Sequence, residues 1–492
     1  MKAATLESKF PILAVEHDCI ISKDADITAA YKVELPELFT VTRNEYEAIH
    51  SAWAKAVKVL PNYSIVHRQD WFIEENYTPD IQRDDLSFLS RSFERHFNER
   101  PYLRHTSYLF LTKTTKERSR TQSNFTALTR NFIIPKEMQD KDTVTRFLES
   151  CDQFERIMDN SAGIIEKYFS LSQEETTCLQ DLTLGAAEMK VGDNCLCLHT
   201  LSDTDDLPGK VATDMRYERL STDRSDCRLS FAAPIGVLLT CNHIVNQYLF
   251  IDDPAENLKK FEKQARNMHS LSRYSRSNQI NREWIEEYLN EAHSLGLTSI
   301  RAHCNVLAWS DDRNRLKQIK SDVGSQLALM ECKPRHNTVD TPTLFWAAIP
   351  GNAGDFPFEE SYYTFIEQAL CFFIGESCSR DSLSPFGIRM VDRLTGKPVH
   401  LDISDLPMRK GVITNRNKFI LGPSGSGKSF FTNHMVRQYY EQGTHVLLID
   451  TGNSYQGLCN LIHNKTGGED GIYFTYEEND PIAFNPFYVE DG

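Results

Sequence analysis

Long apolar runs are missing from this sequence. Its longest, Ile235–Leu239, Leu344–Pro350 and Ala369–Gly375, are the size of core strands, far short of the roughly 18 residues that cross a bilayer. The first residues contain no apolar signal-peptide region, because Glu7, Glu16 and Asp18 interrupt it. An excess of positive charge is missing too: 54 Lys and Arg against 69 Asp and Glu leave a net charge of −15. Non-specific wrapping of nucleic acid needs clustered cations, so this balance disfavours it while leaving room for a local basic channel. The 12 cysteines include no Cys-x-x-Cys pair. The tightest spacing, Cys195-Leu196-Cys197 with His199 close by, sets two thiols on one face of a strand, and no second cluster completes a metal site. The expectation is buried, reduced thiols in a cytoplasmic protein. No internal repeat or low-complexity block is visible.

What is present is a globular composition, 40% hydrophobic and 25% charged over 492 residues, enough for about two to four domains. Residues 8–40 read as short strands. Thr42-Arg43-Asn44-Glu45 is a capping box, and Tyr46, Ile49, Trp53, Ala56, Val57 and Leu60 follow at helical spacing. Strands are expected at Ser64–Ile73 and Arg104–Thr112, with a helix at Leu86–Phe97 between them. Lys113–Ser123 is polar and basic and reads as a solvated loop. A helix is expected over Asp142–Met158, β-rich loops over Glu174–Asp226 and a core strand over Val237–Ile251. Asp253-Pro254 opens a long helical region that breaks near Ser275-Arg276-Ser277, with Trp284, Tyr288 and Ala292 on one face. Ser299–Ala308 reads as a strand and Asp311–Met330 as a helix. Pro350-Gly351-Asn352-Ala353-Gly354-Asp355 is turn chemistry. Glu286-Glu287 and Glu359-Glu360 read as solvated helical charge, and His243, Trp309 and Trp346 as packing residues. The pattern changes after Asp381 to the short strands Gly387–Asp392 and Pro398–Ile403.

The chemistry lies further on. Lys418–Leu421 is a short apolar run followed at once by Gly422-Pro423-Ser424-Gly425-Ser426-Gly427-Lys428-Ser429, which fits G-x-x-x-x-G-K-[ST] at every fixed position. Glycines let backbone amides turn inward around a phosphate without Cβ clashes. Lys428 carries a mobile positive charge for the β- and γ-phosphates, and Ser429 offers a hydroxyl to Mg²⁺. The following segment, with Phe431, Met435 and Tyr439 at helical spacing and Gly443 in the C-cap position, predicts a helix whose N-terminus faces the phosphates. Val446–Asp450 then reads as a buried parallel strand, completing a βαβ unit. Asp450 is either the carboxylate that holds the metal through water or the end of the second strand of a RecA-like core.

Phe419–Phe431 resembles the P-loop of TraG-type conjugative transposon ATPases, relatives of the VirB/TrbE/CagE ATPases of type IV secretion. Leu448–Tyr455 is similar to the second-strand region of that family, and Ile482–Phe487 to its Asn-Pro-Phe element. Asn242–Tyr248, Ala302–Trp309 and Pro350–Asp355 also look like landmarks of the family. The resemblance implies ATP as ligand and a hexameric ATPase at the cytoplasmic base of an inner-membrane channel, used in pilus assembly and DNA transfer. It also implies that Asp450 ends the second strand. The Walker B carboxylate, catalytic Glu and arginine finger of such proteins would then lie beyond Gly492, so this chain is expected to bind nucleotide and hydrolyse it poorly.

The expected fold is a large N-terminal α+β region followed by the start of a RecA-like P-loop NTPase domain of α/β class, divided as 1–60, 61–380 and 381–492. The expected site comprises Gly422, Pro423, Ser424, Gly425, Ser426, Gly427, Lys428, Ser429 and Phe430, with Lys428 as the catalytic cation and Ser429 as the Mg²⁺ ligand. Expected partners are further copies of the chain and channel proteins at the inner membrane, with DNA contacted indirectly. Two other functions fit the sequence: a coupling-type DNA translocase, disfavoured by the missing membrane spans, and a non-catalytic docking scaffold.

Overall fold

The computed structural model describes residues 6–78, 88–122, 126, 128–162, 165–167, 182–185, 188–271 and 275–479. In chain order its elements begin with α1 (Leu6–Lys9), β1 (Ile12–Glu16), β2 (Cys19–Ser22), β3 (Ile27–Val33), α2 (Arg43–Lys58), β4 (Ser64–Asn76), α3 (Phe88–Asn98), β5 (Pro101–Lys113) and α4 (Lys141–Ala162). Next come β6 (Ile165–Lys167), β7 (Leu182–Leu184), β8 (Met189–Val191), β9 (Asn194–Leu201), β10 (Asp214–Arg216), β11 (Arg228–Ser230), β12 (His243–Ile251), α5 (Pro254–Leu271), α6 (Arg276–Leu295), β13 (Ser299–Ser310) and α7 (Arg313–Leu329). The last are β14 (Arg335–His336), α8 (Thr341–Ala347), β15 (Tyr362–Phe365), α9 (Ile366–Leu370), β16 (Ile388–Val391), β17 (Pro398–Leu401), α10 (Asp405–Arg409), α11 (Lys428–Glu441) and α12 (Gln456–Lys465). They form two compact units, one of Met1–Tyr77, Asn98–Ser379 and Arg393–Lys397, the other of Thr78–Phe97, Arg380–Asp392 and Pro398–Gly492.

The first unit is built on a 13-stranded sheet of order β1-β2-β3-β5-β4-β12-β13-β9-β8-β7, with β6, β14 and β15 paired at its side. Its named strands pair antiparallel, β4 with β12 through His243↔Phe72 and β12 with β13 through His243↔Ala308. All nine residues of β12 are buried, which requires cover on both faces. On one face Leu249 and Ile251 meet α2 (Trp53, Ala56, Val57) and α4 (Phe147, Phe154, Met158), while Val245 meets α7 (Leu316, Ile319, Val323). On the other, Ile244, Tyr248 and Phe250 meet Leu344 and Ala347 of α8 and Phe356. The alternation of faces along a strand sorts these residues.

Local chemistry sets the helix starts. The capping box at Thr42 forms, with the Glu45 carboxylate accepting from the Thr42 amide at 2.7 Å, and Asp312 caps α7 through the Asn314 amide. Ser275 is the N-cap of α6. The apolar face read for α6 is only partly covered: Ala292 is buried and Tyr288 stacks on Phe365, but Trp284 is 61% exposed. The core strand read from Val237 begins at His243, because the turns that open at Ala233 run on through Leu239, the Leu238 amide bonding the Ala233 carbonyl and the Leu239 amide the Gly236 carbonyl. His243 and Trp346 are buried, and Cys195 and Cys197 are free thiols side by side in the core. Burial pushes the Cys197 thiol up to about 11.

Two readings of charged residues in this unit are overturned. Glu360 is not solvated charge: it is buried and accepts a 2.6 Å hydrogen bond from Ser202. Nor is the described part of Lys113–Ser123, residues 113–122, a solvated loop. Lys113, Arg118, Ser119 and Thr121 are buried, and Arg118 reaches Asp24 at 2.8 Å and Asp26 at 2.7 Å. Arg130 joins the cluster at 3.0 Å from both Asp24 and Asp355. The cluster explains the Pro350–Asp355 turn. Gly351 sits at φ 89°, where its missing Cβ would lie 2.7 Å from Ile20, and a Cβ on Gly354 would strike the Asp26 carboxylate. Low-dielectric burial makes such a cluster costly to break, because removing one partner strands the other charges.

Arg118→Ala is therefore expected to lower unfolding free energy by about 3–5 kcal/mol, read from urea melts. Burial alone would raise the Asp24 and Asp70 carboxyls. For Asp24 the Arg130 hydrogen bond and the Arg118 charge outweigh it, and for Asp70 the Arg68 charge and His105 do, so both are held below the usual 3.8. Depressed carboxyls stabilise the fold above their unfolded-state value and lose that contribution as pH falls through the folded-state value. Melts at successively lower pH should thus show stability falling below about pH 4, with a smaller fall in Asp24→Asn.

Candidate functional site

The second unit places the glycine-rich loop in front of α11. Gly425 lies at φ 78° and Gly427, the N-cap residue of α11, at φ 90°. Side-chain-bearing residues reach this left-handed region only at a cost of about 1–2 kcal/mol, which is why glycine recurs here. The Ser426 amide bonds the Pro423 carbonyl, and the Phe431 amide closes the first helical turn on Gly427 at 2.9 Å. A Cβ at Gly422 would come within 2.5 Å of Ser426 Oγ, so the loop folds closely upon itself. Lys428 Nζ donates to the carbonyls of Gly422 at 2.7 Å and Pro423 at 2.8 Å. Its ammonium thus stands over the loop on two neutral acceptors. Ser424, Gly425, Ser426, Gly427 and Ser429 are exposed, as is Phe430 at 82%. One turn therefore brings together a cation, a hydroxyl and the amides of a helix N-terminus, the elements of an anion site.

The anchoring of α11 is polar, which the sequence reading missed. Phe431, Met435 and Tyr439 are only half-buried, whereas Val436 and Gln438 are buried. Gln438 accepts from the Arg389 amide at 2.6 Å and donates to the Arg389 carbonyl at 3.3 Å. One turn on, Gln442 accepts from the Gly387 amide at 3.0 Å and donates to its carbonyl at 2.6 Å. Each primary amide thus imitates a strand rung against the chain at β16. The signal in the sequence is the i,i+4 spacing of the two glutamines. In addition, α3 bonds α11 through Ser90 Oγ and Glu441 at 2.6 Å, and Glu94 of α3 is buried against Arg389. Asp402 accepts from the amides of Ser404, Asp405 and Leu406 at the start of α10. Burial opposes its ionisation, but these bonds prevail and bring it down to about 2.

The βαβ reading holds for the helix and fails for its strands. Gly443 at φ 81° follows the C-cap of α11 as expected. Lys418–Leu421 and Val446–Asp450, however, belong to no strand of the described residues. Phe419 and Leu421 are 89% and 83% exposed, and Leu447 and Ile449 are 89% and 94% exposed. The reading of Val446–Asp450 as buried is thus corrected. A parallel strand is buried by neighbouring strands and covering helices, and no ladder forms on this segment among the described residues. Asp450 instead organises the loop after it, accepting from Gly452 at 3.0 Å and Ser454 at 2.6 Å. Ile482–Phe487 lies outside the described residues.

Two family models match the sequence. Residues 387–492 match the TraG P-loop domain. Residues 1–51 match a model described as "Domain of unknown function, B. Theta Gene description (DUF3875)". No curated protein matches the chain. A P-loop domain implies nucleotide binding.

Gln438→Met keeps the length of the side chain and removes both bonds to β16. It is expected to destabilise the protein by about 1–3 kcal/mol, seen as a lower thermal midpoint.

Proposed function

We propose, from the premise that this chain is a TraG-type conjugation P-loop protein, that it binds ATP with Mg²⁺ at Gly422–Ser429 and serves as an ATPase component powering channel or pilus assembly and DNA transfer in type IV secretion. The observation that carries the proposal is Lys428. Its ammonium hangs over a loop whose Gly425 and Gly427 adopt the backbone that lets amides converge on a phosphate. On binding, Lys428 would exchange two neutral carbonyl acceptors for phosphate oxygens, a charge-assisted and stronger partnership. Ser429, at the start of α11, would offer its hydroxyl to the cation, and the first-turn amides would face the anion. The nucleotide supplies the phosphoanhydride bond; these residues bind it and offset its charge. The Asp450 carboxylate is engaged with its own loop amides, which supports a role in shaping the site rather than in holding the metal.

The same reading takes the working form to be an oligomer of this chain, a hexamer as in the family it resembles, peripheral to the inner membrane. Among the described residues no helix is long and apolar enough to cross a membrane, so membrane attachment in this reading runs through channel proteins.

Binding of a fluorescent ATP analogue with Mg²⁺ tests the proposal. Lys428→Ala should weaken it at least about tenfold, the equivalent of 1.4 kcal/mol. Equal binding by both proteins would overturn the site.

A further inference from the structure

We infer that Asn433 is a positioning residue of the nucleotide site, a clip that holds the loop Asp450–Tyr455 against the first turn of α11 as a second polar wall. The inference rests on the nucleotide reading above and deepens it. The Asn433 amide group donates to the Ser429 carbonyl at 2.9 Å and to the Ser454 carbonyl at 3.1 Å. A side-chain amide has two N–H donors and no more, so both are spent. The first bond lies within one helical turn. The second crosses 21 residues of sequence, and local preference does not explain it.

The loop it grips is shaped in advance. Asp450 draws the Gly452 and Ser454 amides inward, and Asn453 takes φ 54°, an uncommon conformation for a residue with a side chain. Asn453 Oδ1 accepts from the Tyr473 hydroxyl at 2.8 Å, tying the loop to the segment after α12. Ser429 carries both the hydroxyl assigned to the cation and the carbonyl that Asn433 holds. The clip therefore fixes the metal-binding turn and the loop Asp450–Tyr455 as one body. A site assembled before ligand arrives binds more tightly, because less ordering remains to be done on binding. The ligand that reads this wall is a triphosphate with its divalent cation, since both walls meet at the turn that receives them.

The test compares the whole chain with Asn433→Leu, which removes the donors at similar size, and Asn433→Asp, which removes them at the same size. Asn433→Gln restores a donor. Three quantities are read: affinity for the fluorescent ATP analogue with Mg²⁺, deuterium uptake over residues 450–456 without nucleotide, and the thermal midpoint. The expected result is affinity weakened about tenfold in both donor-free variants, faster uptake over 450–456 and an unchanged midpoint, with partial recovery in Asn433→Gln. Wild-type affinity or wild-type uptake in both donor-free variants overturns the inference, as does an affinity loss matched by a collapsed midpoint. If Lys428→Ala abolishes binding while the Asn433 variants bind normally, only the clip fails. If wild type and Lys428→Ala bind alike, the nucleotide reading fails and the clip with it.

Discussion

The large sheet depends on one constraint: β12 and its neighbours are buried on both faces, so a polar group on them is costly unless it is paired inside the protein, and most are paired, Tyr248 Oη and Gln247 Oε1 being exceptions. Partners lie both across the strands and along them. Asn246 accepts from Gln69 at 2.8 Å and donates to Asn305 at 3.0 Å, and Asn305 in turn meets His303 at 3.0 Å. Arg68, 1% exposed, donates to Asp70 and to the Ile374 carbonyl. A shift of one residue in register would send each of these groups to the opposite face. The polar ladder thus fixes the register that apolar packing alone would leave less sharply defined.

The P-loop unit meets the same demand differently. Its central helix is held less by a broad apolar face than by Gln438 and Gln442, which satisfy backbone groups at β16, and by α3 at Glu441. Such bonds are directional, so they set the rotation of α11 about its axis as well as its position. That rotation decides where Ser429 and Asn433 point. The chemistry proposed for the loop therefore begins with amide bonds on the far side of the same helix.

Much of this was legible along the chain because it is local. The capping box at Thr42, the two long helices after Asp253, the strands around Ser64 and Arg104 and the helix after Gly427 each announce themselves within a few residues. What escaped depends on distance. Arg118 reads as a surface cation until Asp26, 92 positions away, is seen to hold it; Glu360 reads as solvated until Ser202 comes to it. Val446–Asp450 has the composition of a buried strand, but composition does not supply the neighbours that bury it, and the segment is exposed. The site was legible as a motif, while its supports, Gln438, Gln442 and Asn433, read as ordinary surface amides.

The most direct measurement is a structure of the chain soaked with Mg²⁺ and a non-hydrolysable ATP analogue. The account predicts the phosphates at the N-terminus of α11, with Lys428 Nζ moved from the carbonyls of Gly422 and Pro423 onto phosphate oxygens and Ser429 at the cation. A nucleotide bound elsewhere, with Lys428 still on those two carbonyls, would contradict it.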